Sequence, residues 1–505
     1  MAFLPVSLCT PARERSEQDG LSPTGRPETS VKHLITPVSG GHPRMNRHIL
    51  GTVFVFPVAV GLATATLTGG CTTPGRSQEP LAGSARQTGP AGNVPSQSDE
   101  PVSHEVAEPQ GTVTLKHAIG YALMNSPSLR VFSLETRIAD ARKLQAGLRP
   151  NPALSIQVED FAGSGDRRGF DASETTIGIG QVLELAGKRE KRVAVAGAEE
   201  KLARLDYEAK RLDVTNQVAR AFIDVLAAQE QRDLAEDLVQ LAEKVQEVVR
   251  QRVEAGKDSP VEQAKAQVAL SSARVTLRAA QERLASARQI LATAWGGENP
   301  RFENATGDLY GVRPIPGFEQ LARRIPENPA IERWVANERA RKAELALQKA
   351  KVTPDLDVNG GLRYAAGGDD TALVVGLAIP LPVFDRNQAG VQAATLQLAQ
   401  ARENTKVAVL DARRSLSEAT AQATGALAEV TALREEILPS AQKTLTAIEE
   451  GYRQGKFDYL SLLDAQRTYF DAQQQYLNAL TTYHKARTDI ELLVGRSIDA
   501  AEQNL

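Results

Sequence analysis

The feature that most constrains this chain is an internal duplication. Pro127, which begins a helical pattern, is matched by Pro329 about 200 residues later. Gly256-Lys257 is matched by Gly455-Lys456 at nearly the same offset. Separated matches at one offset indicate that a structural unit occurs twice. We therefore predict that most of the chain consists of two related repeats of about 200 residues.

The N-terminal part is typical of an exported lipoprotein. Residues 45–48 (Met-Asn-Arg-His) form a basic start, an apolar run follows over Ile49–Leu67, and small residues precede Cys71. This order is typical of a secretory signal peptide, and a cysteine at the cleavage point resembles the lipobox, whose thiol becomes acylated. Thr68 departs from the lipobox, where leucine is usual. Cys71 is a candidate lipidation site, with plain cleavage nearby or an uncleaved anchor as alternatives.

Composition changes define the remaining boundaries. Residues 72–112 are rich in Pro, Gly, Ser and Gln, and such segments bury too little apolar surface to fold alone. The predicted parts are residues 1–44 as a non-native or leader segment, 45–70 as a signal peptide, 71–112 as a lipid-anchored flexible linker, 113–300 as the first repeat, 301–498 as the second repeat, and 499–505 as a tail.

Each repeat contains two segments with strand-like alternation. In the first repeat these are residues 154–158 and 176–180, and in the second they are residues 356–364 and 373–379. Alternation with a period of two places the apolar side chains on one face of a strand. Gly- and Asp-rich links join the members of each pair, so each repeat is predicted to contain one β-hairpin.

A very long helical pattern follows each hairpin. One runs over residues 187–256 and the other over residues 385–455, and each helix would be about 105 Å long if it were straight. Apolar residues in the first follow the heptad spacing of a coiled coil. Pro439 lies within the second and is expected to kink it, because proline removes a backbone donor.

Shorter helices return from the two reversals. They are predicted over Val261–Trp295 and Tyr459–Leu493 and have about half the length of the outgoing helices. The helices before the hairpins, Pro127–Leu148 and Pro329–Ala350, can cover the remaining length. We therefore expect one long helix to pair with two short helices laid end to end in each repeat.

The chain carries no pattern of nucleic-acid binding or catalysis. Its 59 basic and 62 acidic residues nearly balance, whereas nucleic-acid binding needs a clustered basic face. His104-Glu105 lacks the second histidine of a zinc protease motif, and Gly187-Lys188-Arg189 lacks the spacing of a phosphate loop. Gly163-Ser164-Gly165 is typical of a turn. We therefore expect no catalytic residue, no resident metal and no cofactor.

Four amphipathic strands cannot close a barrel by themselves. Open strand edges are not tolerated in lipid, and closed membrane barrels begin at about eight strands. Beyond the signal segment, no run reaches the ~18 apolar residues of a spanning helix. If the mature protein crosses a membrane, several copies must therefore share the strands, and three copies would supply about 12.

Three segments give the chain a resemblance to a known family. They are residues 151–155 (Asn-Pro-Ala-Leu-Ser), residues 181–189 (Gln-Val-Leu-Glu-Leu-Ala-Gly-Lys-Arg), and residues 451–456 (Gly-Tyr-Arg-Gln-Gly-Lys) together with 463–467 (Leu-Asp-Ala-Gln-Arg). Across about residues 113–498 the chain resembles the TolC-like outer-membrane efflux proteins, and within them the CzcC-type channels of heavy-metal efflux.

The resemblance implies a fold that is mainly α with a small membrane β part. Long coiled-coil helices and two β-hairpins per chain would assemble as a homotrimer, with a trimeric α-barrel and a 12-stranded β-barrel in outer-membrane lipid. The implied partners are a periplasmic adaptor (a membrane fusion protein) at the tunnel tip and an inner-membrane RND-type pump. The implied function is passive conduction of heavy-metal cations to the exterior.

The resemblance also implies roles for residues at the two chain reversals. Glu262, Tyr452 and Asp464 match positions of the periplasmic constriction, where a ring of carboxylates would favour cations. Phe457 and Ser461 depart from the family pattern, which has an arginine and an acid there, so a gate latched by that salt bridge does not carry over. All of these positions also fit ordinary hairpin residues.

The reversals themselves are the implied docking tips for the adaptor. For the two glycines the alternative interpretation is plain turn geometry with positive φ. The predicted docking residues are Gly256, Lys257, Ser259, Gly455, Lys456 and Phe457.

Two other functions remain open from the sequence. A periplasmic coiled-coil scaffold or adaptor lipoprotein would explain the helices and the anchor, but it would not explain four alternating strands. A TolC-like channel for drugs or secreted proteins would share every feature of a metal channel, because a duct need not bind what it conducts.

Overall fold

The computed structural model describes residues 108–498, which belong to one compact unit, Ser98–Leu505. The helices are α1 (Leu115–Asn125), α2 (Pro127–Ala146), α3 (Lys188–Glu254), α4 (Pro260–Thr293), α5 (Phe318–Ala322), α6 (Pro329–Ala350), α7 (Gln388–Ala432), α8 (Leu438–Arg453) and α9 (Tyr459–Val494). The strands are β1 (Gly111–Thr114), β2 (Ala153–Glu159), β3 (Glu174–Leu183), β4 (Phe302–Thr306), β5 (Leu356–Ala365) and β6 (Asp370–Ala378). Cys71 and the predicted signal peptide lie outside the described residues.

The four predicted strands form one antiparallel sheet in the order β2, β3, β5, β6. The two hairpins therefore join side by side through β3 and β5. The register places Ile177 between Ile156 and Leu362, so most large apolar residues of the four strands share one face, whereas Val182 and Val374 lie on the other. Within the described residues, β2 and β6 each keep one edge unpaired.

The opposite face of this sheet is polar and rich in glycine. Arg363 on β5 donates to Glu174 on β3 at 2.7 Å and reaches Glu159 on β2 at 3.4 Å. A Cβ atom on Gly361 would lie 2.5 Å from the carbonyl oxygen of Ile177. The backbone of β3 therefore crowds this face so closely that a larger residue at this position would push the strands apart.

The long helices pack as their lengths predicted. Helix α3 contacts α2 near the sheet and α4 farther away, while α7 and α8 contact α6 and α9. The two repeats meet where α3 contacts α6 and α9. The helices lie side by side in one layer. Close to the sheet their order is α2, α3, α6, α7, and farther from the sheet it is α4, α3, α9, then α7 with α8. In both tiers the first and last helices form the edges. Within residues 108–498, no helix combines the length and apolarity needed to cross a membrane.

The two outgoing helices differ in continuity. Helix α3 runs unbroken for 67 residues, or about 100 Å, whereas a π-helical turn over Leu433–Ile437 separates α7 from α8. Pro439 is the second residue after this turn. In a regular α-helix a proline ring clashes with the carbonyl group four residues earlier. A wider π turn relieves that clash. The irregularity predicted at Pro439 thus takes the form of a π turn on its N-terminal side.

A small region beside the helices was not predicted. Strands β1 and β4 pair in parallel and join the start of the first repeat to the start of the second. Trp295 is fully buried beside Tyr121 and Phe302, and its indole N–H donates to Glu108 at 3.2 Å. Strands of four and five residues carry too little alternation to be recognised from the sequence.

Candidate functional site

The two chain reversals have the same backbone geometry. We call residues 252–262 tip 1 and residues 451–461 tip 2. Gly256 and Gly455 have φ angles of 68° and 78°, in the left-handed region that glycine adopts without strain. In tip 1 the amide of Lys257 donates to the Arg252 carbonyl, and in tip 2 the amide of Lys456 donates to the Gly451 carbonyl, both at 2.8 Å. These contacts satisfy the last carbonyl groups of the outgoing helices.

A side chain caps the return helix in each tip. The Ser259 hydroxyl accepts from the amide of Val261 at 3.2 Å, and the Asp458 carboxylate accepts from the amide of Ser461 at 2.9 Å. Such N-caps satisfy amide groups that have no partner within the helix. The turn glycines and the caps therefore explain why the chain reverses at these points.

A cluster of three side chains links tip 1 to tip 2. The Arg252 guanidinium binds the Asp258 carboxylate through two nitrogens, Nε at 2.8 Å and Nη2 at 2.9 Å. The Tyr452 hydroxyl donates to the same carboxylate at 2.7 Å. Arg252 also donates to the Tyr452 carbonyl at 3.1 Å and lies over the Tyr452 ring at 4.8 Å. Residues from both repeats thus share one hydrogen-bonded network.

Burial strengthens this network. The side chains of Arg252 and Asp258 are only 17% and 8% exposed, so their attraction is screened less than that of a surface pair. The Arg252 guanidinium, followed by the Tyr452 hydroxyl, lowers the pKa of Asp258. Burial, and then the Asp258 carboxylate, raise the pKa of Tyr452. At neutral pH the carboxylate is therefore charged and the phenol is neutral.

An apolar core lies directly behind the network. The rings of Tyr452 and Tyr459 are both 2% exposed, with centroids 6.2 Å apart. Burial, and then the charge of Glu262, raise the pKa of Tyr459 to about 12. The buried core residues come from four helices and both repeats: Val245, Val249, Ala266, Leu445, Tyr452, Tyr459, Leu462 and Ala465.

The structure distributes the predicted constriction residues over different environments. Glu262 is half-buried beside the tyrosines, and Tyr452 points into the core. Asp464 is exposed on α9 and lines a shallow groove between α8 and α9 that also contains Glu436. Within one chain these three side chains therefore do not meet at a single point.

The predicted docking residues lie at the surface of the two tips. Gly256, Lys257, Ser259, Gly455, Lys456 and Phe457 are all exposed. The Phe457 ring is 47% exposed and lies over Gly451, where a Cβ atom would be 2.3 Å from ring carbon Cδ2. Leu460 and Val261 are exposed close by in the first turns of the return helices. The tips therefore present both lysine charge and apolar surface.

Sequence reasoning missed Arg252 and Asp258, the two charged members of the network. Asp258 occupies the position in tip 1 that Phe457 occupies in tip 2, and Arg252 corresponds to Gly451. A comparison of the two repeats at these positions would have revealed opposite charges six residues apart on one turn. Their link to Tyr452 depends on tertiary packing and carries no local signal.

Exposed apolar side chains concentrate on the edge helices of the layer. On α4 they include Val261, Val268 and Val275, which follow the seven-residue spacing of a coiled-coil seam. The others on edge helices α2, α4 and α7 are Val131, Leu134, Ile138, Leu144, Ile290, Leu396, Val407 and Leu410. The inner helices α3 and α6 carry no exposed large apolar residue within the described chain, and α9 carries only Leu460. The sheet likewise exposes its apolar face.

The described residues provide no evident resident metal centre. Within residues 108–498, no group of three or more His, Cys, Asp or Glu side chains is arranged to hold a metal ion. Asp464 and Glu436 therefore stand as separate surface carboxylates in the single chain.

Comparison with known proteins gives consistent relatives. The profile of the family described as "Outer membrane efflux protein" matches residues 118–297 and 323–496. The chain is 33% identical over 389 residues to the cobalt-zinc-cadmium resistance protein CzcC of Cupriavidus metallidurans, covering 77% of this chain and 91% of that protein. It is 27% identical over 303 residues to the nickel-cobalt-cadmium resistance protein NccC of Alcaligenes xylosoxydans, covering 60% of this chain and 68% of that protein.

Solved structures with the same fold include CusC and the outer membrane protein VceC. CusC, described in connection with transmembrane channel formation, aligns with a TM-score of 0.64 at 19% identity, over 76% of this chain and 92% of that chain. VceC of Vibrio cholerae aligns with a TM-score of 0.63 at 18% identity, over 76% of this chain and 96% of that chain. At these identities the likeness establishes the arrangement of helices and strands.

Proposed function

The chain belongs to the outer membrane efflux protein family, and from this membership we propose that three copies form a channel that conducts heavy-metal cations out of the cell. The names of CzcC and NccC support the metal cargo, because both relatives are resistance proteins for divalent metals. The channel is passive and has no catalytic residue. A periplasmic adaptor docks on the channel, and an inner-membrane RND-type pump supplies the energy and most of the specificity.

The observation that carries this proposal is the segregation of exposed apolar residues to the edge helices. Edge helices α2, α4 and α7 expose valine and leucine side chains, whereas inner helices α3 and α6 do not. Contiguous exposed apolar surface is a sign of association. Packing α2 and α4 of one copy against α7 and α8 of the next would cover both edges and repeat around a closed ring.

The sheet supports the same assembly. Its free edges, β2 and β6, would pair between copies, so that three copies give a closed barrel of about 12 strands without an open edge. The exposed apolar face would contact lipid, and the face that carries Arg363 and Glu174 would line the lumen. The close approach at Gly361 fits a sheet that curves toward its polar face.

We place the periplasmic gate and the docking surface at the tips. Glu262, Tyr452 and Asp464 belong to the constriction. The network of Arg252, Asp258 and Tyr452 links the helices of tip 1 to those of tip 2 within each chain. The adaptor docks on the exposed residues Gly256, Lys257, Ser259, Gly455, Lys456 and Phe457. Acylation of Cys71 would fix the chain to outer-membrane lipid through the linker.

Mass measurement of the purified protein in detergent tests the assembly. We expect three times the protomer mass. Val268→Glu on edge helix α4 should shift the protein toward the monomer, because charge in a packed seam is costly. Gln240→Glu on inner helix α3, an exposed position, is the matched control and should remain trimeric. A monomeric wild-type protein that stays soluble without detergent would favour the periplasmic scaffold instead.

Metal tolerance tests the cargo. In a host whose matching adaptor and pump are functional, deletion of the gene should lower tolerance to cobalt, zinc and cadmium, and a plasmid copy should restore it. Unchanged metal tolerance together with a new sensitivity to drugs would contradict the metal assignment and favour a drug channel of the same fold.

A further inference from the structure

The duplication places two equivalent junctions between the sheet and the long helices. The inner junction joins β3 to α3 and ends at Gly187, with a φ of 65°. The outer junction joins β6 to α7 and ends at Asn387, with a φ of 54°. Both therefore enter their helix through a residue in the left-handed region. The two junctions can be compared position by position, counting back from these residues.

The inner junction is held by its own chain. The Asp355 carboxylate accepts from the Lys188 ammonium at 2.7 Å and from the amide of Leu185 at 3.0 Å. Glu184, three residues before Gly187, is ion-paired with Arg192, and its side chain is only 14% exposed. These polar contacts hold the junction to the first turns of α3 and to Asp355, which directly precedes β5.

The outer junction has an apolar surface in place of that ion pair. Three residues before Asn387 stands Phe384, which is 92% exposed, and its counterpart in the inner junction is Glu184. Leu381 and Val383 are 79% and 59% exposed beside it. Three neighbouring large apolar side chains that are this exposed indicate a surface that contacts a partner.

The outer junction nevertheless has a defined backbone. Pro380 and Pro382 each restrict φ, and the amide of Val383 donates to the Leu381 carbonyl at 2.9 Å. Asn387 donates to the carbonyl of Gln348 on α6 at 2.8 Å. We call residues 379–384 the edge loop. Because it is ordered before it meets a partner, it loses little conformational entropy on binding.

A matching surface lies on the opposite edge of the chain at the same level. Helix α2 ends next to the sheet, and Leu144 and Leu148 at its C-terminal end are 76% and 59% exposed. The edge loop lies at the start of α7, which also adjoins the sheet. Since α2 and α7 are the two edges of the helical layer near the sheet, rotation from one copy to the next brings these surfaces together.

We propose that the edge loop of one copy clasps the end of α2 in the next copy, with Phe384 packed against Leu144 and Leu148. This inference rests on the proposed ring of three copies. It adds a contact that fixes the position of the sheet of one copy relative to the helices of the next copy. A second copy fits better than lipid, because Phe384 is followed by Asp385 and Arg386 and the loop is bound to α6 through Asn387.

Photo-crosslinking tests the clasp in the full-length protein in membranes. A benzophenone amino acid in place of Phe384 should give covalent dimers and trimers, with the adduct mapped by mass spectrometry to residues 144–148. The same probe in place of Glu184, the equivalent inner position, is the matched control and should give no adduct between chains. Leu148→Ser should lower the yield from position 384 several-fold, whereas Met124→Ser, at an exposed apolar position on α1, should not.

The outcomes separate the clasp from the assembly. Native mass measurement before irradiation reports whether the probe-bearing protein is trimeric. A trimer whose position 384 reacts only with lipid, or only within its own chain, overturns the clasp and leaves the channel proposal standing. A monomeric wild-type protein overturns both.

Discussion

The two tips share one backbone but are closed by different side chains. Each reverses at a glycine with positive φ and caps its return helix with a side-chain oxygen. In tip 1 the turn is closed by the ion pair of Arg252 with Asp258. In tip 2 the equivalent residues are Gly451 and Phe457, and the ring lies over the glycine. The two turns thus share one geometry, although one is closed by an ionic contact and the other by an apolar contact.

We expect this difference to give the tips different tasks. The charged groups of tip 1 reach across to Tyr452 of tip 2. They therefore link the helix pair α3–α4 to the helix pair α8–α9 within one chain. Phe457 of tip 2 leaves nearly half of its side chain exposed, so we expect tip 2 to offer apolar surface to a partner. Variants that affect one tip and spare the other can test this division, with hydrogen exchange of the tip amides as the local measurement.

The largest effect is expected from Asp258→Asn. The substitution leaves the Arg252 guanidinium without its carboxylate at a site where both side chains are mostly buried, at a cost of roughly 2–3 kcal/mol. The amide of Lys257 should then exchange about 30- to 150-fold faster. Single-channel recordings should also show more frequent opening, because the ion pair that joins tip 1 to tip 2 is lost.

Phe457→Asn is the matched control, because it changes the equivalent position of tip 2. It should leave the exchange of Lys257 unchanged and weaken adaptor binding instead. If Asp258→Asn left tip 1 as protected as in the wild type, the ion pair would not be what closes that turn.

A smaller effect is expected from Tyr452→Phe, which removes one hydrogen bond to a carboxylate. The expected loss is about 1.5 kcal/mol at the tips. Tyr459→Phe is a closely matched control, since both rings are 2% exposed and lie 6.2 Å apart. The buried hydroxyl of Tyr459 has no hydrogen-bond partner within the described residues, so its removal should be neutral or slightly stabilising. Equal losses in the two variants would contradict this prediction, because they would mean that the hydrogen bond from Tyr452 to Asp258 adds no stability beyond that of a buried hydroxyl without a partner.

The contrast between the tips also marks what could be predicted from the sequence. The turn glycines, the return helices and the strands follow from spacing and alternation, which are local. Helix α6 begins and ends at the predicted residues, Pro329 and Ala350. The network of Arg252, Asp258 and Tyr452 joins segments about 200 residues apart, and no local pattern records that contact.

Other parts escaped prediction for related reasons. The pairing of β1 with β4 is short and links distant segments. The irregularity at Pro439 was predicted, but its form as a π turn over Leu433–Ile437 depends on how the chain relieves the clash. The exposure of Phe384 became meaningful only when the structure showed which helices form the edges.

Acid should reduce the difference between wild type and Asp258→Asn. The Arg252 guanidinium, and then the Tyr452 hydroxyl, lower the pKa of Asp258 below its usual 3.8. A lowered pKa in the folded state stabilises the fold above the unfolded pKa, and this contribution is lost as the pH falls through the folded pKa. The ratio of Lys257 protection factors should therefore be constant above pH ~5 and approach one as the pH falls through the lowered pKa of Asp258. A ratio that did not change with pH would mean that the carboxylate charge is irrelevant to tip 1.

The smallest effect is expected from the helix caps, where the comparison is between the capping residues of the two tips. Ser259→Ala removes the hydroxyl that accepts from the amide of Val261 and should cost about 1 kcal/mol at the start of α4. Ser259→Asp installs the capping residue of tip 2 and should retain the cap, because a carboxylate is also favoured at a helix N-terminus. Hydrogen exchange of Val261 should rise about fivefold in the alanine variant and stay near the wild-type rate in the aspartate variant. If the aspartate variant lost protection as well, the added charge would be disturbing the nearby Asp258. The two tips could then not exchange their caps, because only tip 1 contains an ion pair.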